Sequence, residues 1–109
     1  MNKLKLLTYF INRVVTDKRL TTSHLSLSIA LCHTWIDSGF NESYQISRRQ
    51  IMHLSHIHSI ATYHKVIKDL QRFAYLKYSP SYHPIKGSSV KLILSDVTKN
   101  STNHEPVVL

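Results

Sequence analysis

A chain of 109 residues leaves room for one domain with one modest core. Its 42% apolar content excludes wholesale disorder, and two Gly and three Pro favour helices joined by short connections over a turn-rich fold. Fourteen Lys and Arg against six Asp and Glu give a formal charge of +8, which speaks to partners rather than fold: nucleic acid first, an anionic membrane surface second.

Leu4, Leu7, Ile11 and Val14 recur at helical spacing, so an amphipathic helix is expected over about residues 2–16. Its stripe suits either a cover for the core or an arm that pairs two subunits into a homodimer. Lys5, Asn12 and Arg13 interrupt the apolar run and no small-residue cleavage site follows, which argues against a secretory leader. No stretch approaches the roughly 20 apolar residues of a membrane span, so no membrane partner is expected. Residues 1–20 are read as an N-terminal addition to a main domain over 21–94.

A second helix is expected from about Ser23 to Ser38, stopped by Gly39, which suits the left-handed position after a helix. Leu25, Ile29, Cys32 and Ile36 form one apolar face and Leu27, Leu31 and Trp35 another, which implies a central helix buried by several neighbours. Cys32 has no cysteine partner, reads as a core residue, and points to a reducing, cytoplasmic compartment. Tyr44-Gln45-Ile46 reads as a short strand.

The run from Ile46 to Leu76 organises the rest. Ser47 to Gln50 fits the capping pattern S-x-x-Q, and Ile51 and Leu54 give a short helix its apolar stripe. Ser55 to Ser59 form a tight turn, with Ser59 the next N-cap. Tyr63, Val66, Ile67 and Leu70 then mark the buried face of a helix over about 59–72. Its opposite face carries Ala61, His64, Lys65, Lys68 and Arg72. Ala74 to Tyr78 alternates and reads as a strand, residues 79–88 as a loop, and Ser89 to Leu94 as a second strand. The two strands make a hairpin after a helical domain. Residues 95–109 form a polar tail, loosely held.

Charge is unevenly placed along this order. Residues 47–91 carry eight Lys or Arg against one acid, Asp69, whereas residues 20–46 carry no Lys or Arg at all. His53, His56, His58 and His64 lie in the same segment. Zinc sites use fixed spacings with Cys or carboxylates, so hydrogen bonding to phosphate or plain exposure is the preferred reading of the histidines over metal. Partial protonation in mildly acidic solution would add charge to this face. No Gly-rich phosphate loop or paired-carboxylate cluster is visible, and the adjacent Cys32-His33 makes a poor dyad, so no catalysis and no cofactor are expected.

Helix, helix, short strand, helix, helix, hairpin is the order of a winged helix-turn-helix. Ile46-Ser47-Arg48-Arg49-Gln50-Ile51, then Ser59-Ile60-Ala61-Thr62-Tyr63-His64-Lys65, Leu70 and Tyr75-Leu76, resemble the core of bacterial winged-helix regulators over about residues 22–94. Ala61 to Lys65, with Pro80-Ser81-Tyr82 and Lys86-Gly87-Ser88, further resembles a small family of such regulators associated with mobile genetic elements. The sequence departs from the family pattern in two places: Ala74 stands where glycine usually precedes the first wing strand, and the turn before Ser59 lacks glycine.

The resemblance implies an α+β, mostly helical fold with a C-terminal β-hairpin wing, and a partner, double-stranded DNA, read for transcriptional regulation. Accessory DNA binding in mobile-element recombination or replication, and protein docking, are the rival uses. A recognition helix places side chains of its N-terminal half against base edges. That assigns Ser59, Ala61, Thr62, His64 and Lys65 to the groove, with Lys65 suited to guanine O6 and N7. Lys68 and Arg72 fall to the backbone. Arg48 and Arg49, beside a helix N-terminus, suit phosphate, as do Lys86 and His83 of the wing at about 79–89 and Lys91 just beyond it.

Overall fold

Short side chains set where the helices begin. The computed structural model describes residues 2–80 and 87–94. These form an α+β, mostly helical fold: α1 (Lys3–Thr16), α2 (Thr22–Asp37), β1 (Tyr44–Ile46), α3 (Arg48–Ser55), α4 (Ile60–Arg72), β2 (Leu76–Ser79) and β3 (Ser88–Leu92). Asn2 Oδ1 accepts from the Leu4 N–H at 2.9 Å, Ser47 Oγ from Gln50 at 3.2 Å and Ser59 Oγ from Thr62 at 3.1 Å. Each such cap satisfies an otherwise orphaned donor and stabilises its helix by about 1 kcal/mol. At the start of α2 a histidine serves: His24 Nδ1 accepts the Thr21 backbone N–H at 3.0 Å.

Three helices end on the same device. After α2, Gly39 has φ +81°, its N–H reaches Ile36 O at 3.0 Å, and Phe40 N–H reaches Trp35 O at 3.0 Å. After α3, His56 takes φ 62° and Ile57 N–H reaches Met52 O at 3.1 Å. After α4, Ala74 takes φ 66° and Tyr75 N–H reaches Leu70 O at 2.8 Å. This left-handed residue followed by a six-residue closure is the Schellman motif, which satisfies the last carbonyls and turns the chain sharply. The two glycine-free positions singled out in the sequence therefore make the turn that glycine usually makes, with His56 and Ala74 in its place.

The strands are shorter than their alternation suggests. Ala74 and Tyr75 belong to the turn, so β2 starts at Leu76, and β3 ends at Leu92 rather than Leu94. The hairpin is also joined by a third strand: the antiparallel sheet has the order β1-β3-β2, with Tyr44 opposite Val90 and Val90 opposite Tyr78. Gly87, φ +71°, passes so close to β1 that an added Cβ would lie 2.7 Å from Ile46 O. Residues 81–86, the centre of the hairpin loop, and 95–109, the tail, lie outside the described residues.

One core serves every described element. Phe10 and Val14 of α1, Leu27, Leu31 and Trp35 of α2, Ile51 of α3, the 63/66/67/70 face of α4 and the inward strand residues Tyr44, Ile46, Leu76, Val90 and Leu92 are all buried. Tyr44 Oη donates to Leu31 O at 2.9 Å, tying β1 to α2. Cys32 belongs to the core, and burial pushes its thiol up to about 12, which leaves it inert as a nucleophile. α2 is packed by α1, α3 and α4, as a central helix is expected to be, but its Leu25/Ile29/Cys32/Ile36 face is only partly covered: Ile29 and Ile36 remain 61% and 43% exposed, because no described element covers that flank.

α1 is tied to the α4–β2 turn. The Arg13 guanidinium donates to the Ala74 and Phe73 carbonyls at 3.2 and 3.4 Å and stacks over the Tyr75 ring at 4.1 Å. Tyr75 Oη lies 2.7 Å from Asp17 Oδ2. No helix among the described residues is long and apolar enough to cross a membrane.

Candidate functional site

The outward face of α4 is where charge collects without burial. Ala61, His64, Lys65, Lys68 and Arg72 are all exposed along it, while Thr62 and Asp69 are half-buried on the flank toward α2. This follows from the 3.6-residue repeat: once Tyr63, Val66, Ile67 and Leu70 are drawn into the core, the residues on the opposite side of the helix have only solvent to face. His64 packs edge-on to Tyr63, ring centroids 5.3 Å apart.

α3 precedes α4 in the chain, separated from it by the turn at residues 56–59. Arg48 and Arg49 occupy the first turn of α3, exposed. With His53, His56, His58 and Ile60 they line a shallow depression reaching the start of α4. A second groove, lined by the hydroxyl-bearing Thr22, Ser23, Ser26, Ser59 and Thr62 together with His56, runs between the N-termini of α2 and α4. None of the four helices has an acidic residue in its first turn. Helix N-termini are ordinarily complemented by Asp or Glu, worth about 0.3–1 kcal/mol each, and two arginines at the α3 start oppose the helix dipole instead. Among the described residues no group of three His, Cys, Asp or Glu is arranged to hold a metal ion.

The cations differ in how they are held. Arg48, Arg49, Lys68 and Lys77 make no ion pair among the described residues. Lys65 Nζ lies 2.8 Å from Asp69 Oδ2, and an Arg72 guanidinium nitrogen 3.0 Å from Asp69 Oδ1. Arg72 also stacks against Phe73 at 4.8 Å. Lys91 on β3 reaches Glu42 Oε2 at 2.8 Å. The Lys91 ammonium holds the Glu42 carboxyl below its ordinary value. His83 and Lys86 fall outside the described residues.

Asp69 is the residue that reading the sequence for cations passes over. Its Oδ2 accepts both from Lys65 and from His24 Nε2, the latter at 2.9 Å across from α2. Bonding to Lys65, and then to His24, lowers the Asp69 carboxyl from 3.8 to about 2. The Lys65–Asp69 and Asp69–Arg72 spacings of four and three were a legible signal of pairing along one helix. The bond to His24, 45 positions away, had no such signal.

Comparison of the chain with protein-family models, with curated proteins and with solved structures returned no match.

Proposed function

We propose that this chain is a winged helix-turn-helix domain that binds double-stranded DNA, and that it serves as a transcriptional regulator. The observation that carries the reading is a pair of exposed basic segments, the outward face of α4 and the Arg48-Arg49 start of α3, on elements joined by one tight turn. Two features support it further. The order α2-β1-α3-α4-β2-β3, with β1 paired to β3, is compatible with the winged-helix pattern. And free cations at a helix N-terminus lacking acids are suited to a phosphate.

In this reading α4 enters the major groove with Ser59, Ala61, Thr62 and His64 nearest the bases, the small Ala61 permitting close approach or contact with a thymine methyl. Lys68, Arg48 and Arg49 meet phosphates, and the β2–β3 hairpin lies along the flanking backbone. Lys91 joins them only by leaving Glu42.

The test is fluorescence anisotropy with random duplex DNA across a salt series. Counterion release predicts a steep fall in affinity with salt, and Arg48→Ala or Lys68→Ala should each flatten the log–log slope by about 0.9. Absence of binding even at low salt would sink the reading. It would favour protein docking instead, to which the exposed Ile29 and Ile36 of α2 lend themselves.

A further inference from the structure

We propose that Asp69 sets the selectivity of the α4 face, holding Lys65 and Arg72 in ion pairs that discriminate against phosphate and leave Lys65 able to meet a base. This rests on the DNA reading above and concerns a residue that reading does not use.

The geometry sets one largely enclosed acid against two exposed cations. The Asp69 side chain is 13% exposed, whereas those of Lys65 and Arg72 are 71% and 69% exposed. Behind Asp69 stands His24, buried, whose Nδ1 accepts the Thr21 N–H; the ring proton therefore sits on Nε2 and is donated to Asp69 Oδ2. The imidazole anchors the carboxylate from α2. The anchored carboxylate acts on Lys65 and Arg72 through its two oxygens. Lys68, on the same face, makes no ion pair among the described residues and stays available.

The consequence differs for the two things DNA presents. A phosphate approaching Lys65 or Arg72 must either displace Asp69 or sit beside a second anion that cannot move away. A guanine edge is a neutral pair of acceptors. The Lys65 ammonium has three donors, and the bond to Asp69 occupies one, so it can keep that bond and still donate to O6 and N7. Asp69 thereby withholds two cations from generic backbone binding and keeps one of them for base contact.

The experiment compares the full chain with Asp69→Asn, whose side-chain oxygen still accepts from His24, on random duplexes and on the best duplex selected by the unaltered protein from a random pool. Asp69→Asn should bind random DNA about three- to tenfold tighter at about 0.1 M salt. Its log–log salt slope should steepen by up to about 1.8, or 0.9 for each freed cation. The selected duplex should gain less, so the ratio of selected to random affinity drops. An unchanged slope with an unchanged ratio overturns the proposal.

Should Asp69→Asn fail to fold, Lys65→Met/Arg72→Gln decides: little change in the random-DNA slope supports the proposal, and a loss near 1.8 shows that both cations already contact phosphate and overturns it. If neither the parent chain nor any variant binds duplex at low salt, the DNA reading falls and takes this inference with it. That outcome is distinct from binding with an unaltered ratio.

Discussion

Phe40, His56 and Ala74 are the residues other than glycine that take positive φ among the described residues, and there the backbone is least at ease. A left-handed conformation costs a non-glycine residue about 1–2 kcal/mol, because its Cβ crowds the following carbonyl oxygen. At Ala74 the conformation is imposed from outside: Arg13 holds the carbonyls of residues 73 and 74, and Tyr75 and Leu70 are both buried around the turn. Ala74→Gly should therefore stabilise the domain by about 0.5–1 kcal/mol, the relief exceeding the entropy glycine adds to the unfolded chain. Gly87→Ala should act the other way, by at least about 1 kcal/mol, since its Cβ would meet the Ile46 carbonyl at 2.7 Å in addition to the strained φ. Urea unfolding of the two variants beside the parent chain checks both signs. A destabilising Ala74→Gly would mean that the alanine methyl makes contacts that outweigh its strain.

Among the elements, α1 is the one whose role the sequence left divided between core cover and dimer arm. Phe10 is fully buried, its ring edge-on to Tyr75 at 6.0 Å, and Arg13 grips the α4–β2 turn. An element so placed stabilises its own protomer. Phe10→Ala should cost about 3–5 kcal/mol, with a fall in melting temperature that does not depend on protein concentration. A loss confined to oligomeric state, with the protomer's melting intact, would return α1 to the role of an arm. Leu4 and Val15, 69% and 60% exposed on the same helix, are the residues such an arm would use.

Over the whole molecule, a surplus of +8 is arranged around very few acids, and two of those acids are structural. Asp17, bonded by Arg19 and by Tyr75 Oη, has its carboxyl held well below the usual range, chiefly by the Arg19 hydrogen bond. Asp69 is held at about 2 by Lys65 and His24. A carboxyl whose folded value lies below its unfolded one stabilises the fold above the unfolded value, here 3.8, and loses that contribution as pH falls through the folded value. Thermal melts should thus show stability falling between about pH 4 and pH 2, and Asp69→Asn should remove part of that slope, on the order of 1 kcal/mol. Identical acid profiles for the two proteins would mean that the ion pairs of Asp69 are no stronger folded than unfolded.

What the amino-acid order determined by itself was local. The caps at Ser47 and Ser59, the stop at Gly39 and the apolar and basic faces of α4 depend on residues within about four positions of one another, which spacing alone reveals. The Schellman turn at Ala74 escaped that logic, because an alanine there carries no local preference for φ above zero; the grip of α1 and the burial of Tyr75 impose it. Pairing of β1 with β3 joins Tyr44 to Val90, a choice made by packing between distant segments. The same is true of the site. That Lys65, Lys68 and Arg72 share a face, and that Asp69 stands four and three positions from Lys65 and Arg72, was legible; that His24 fixes this acid depended on where α2 came to lie. Opposite charges on one helix pair by spacing, which the sequence shows, whereas partners on different elements are decided only by the tertiary structure.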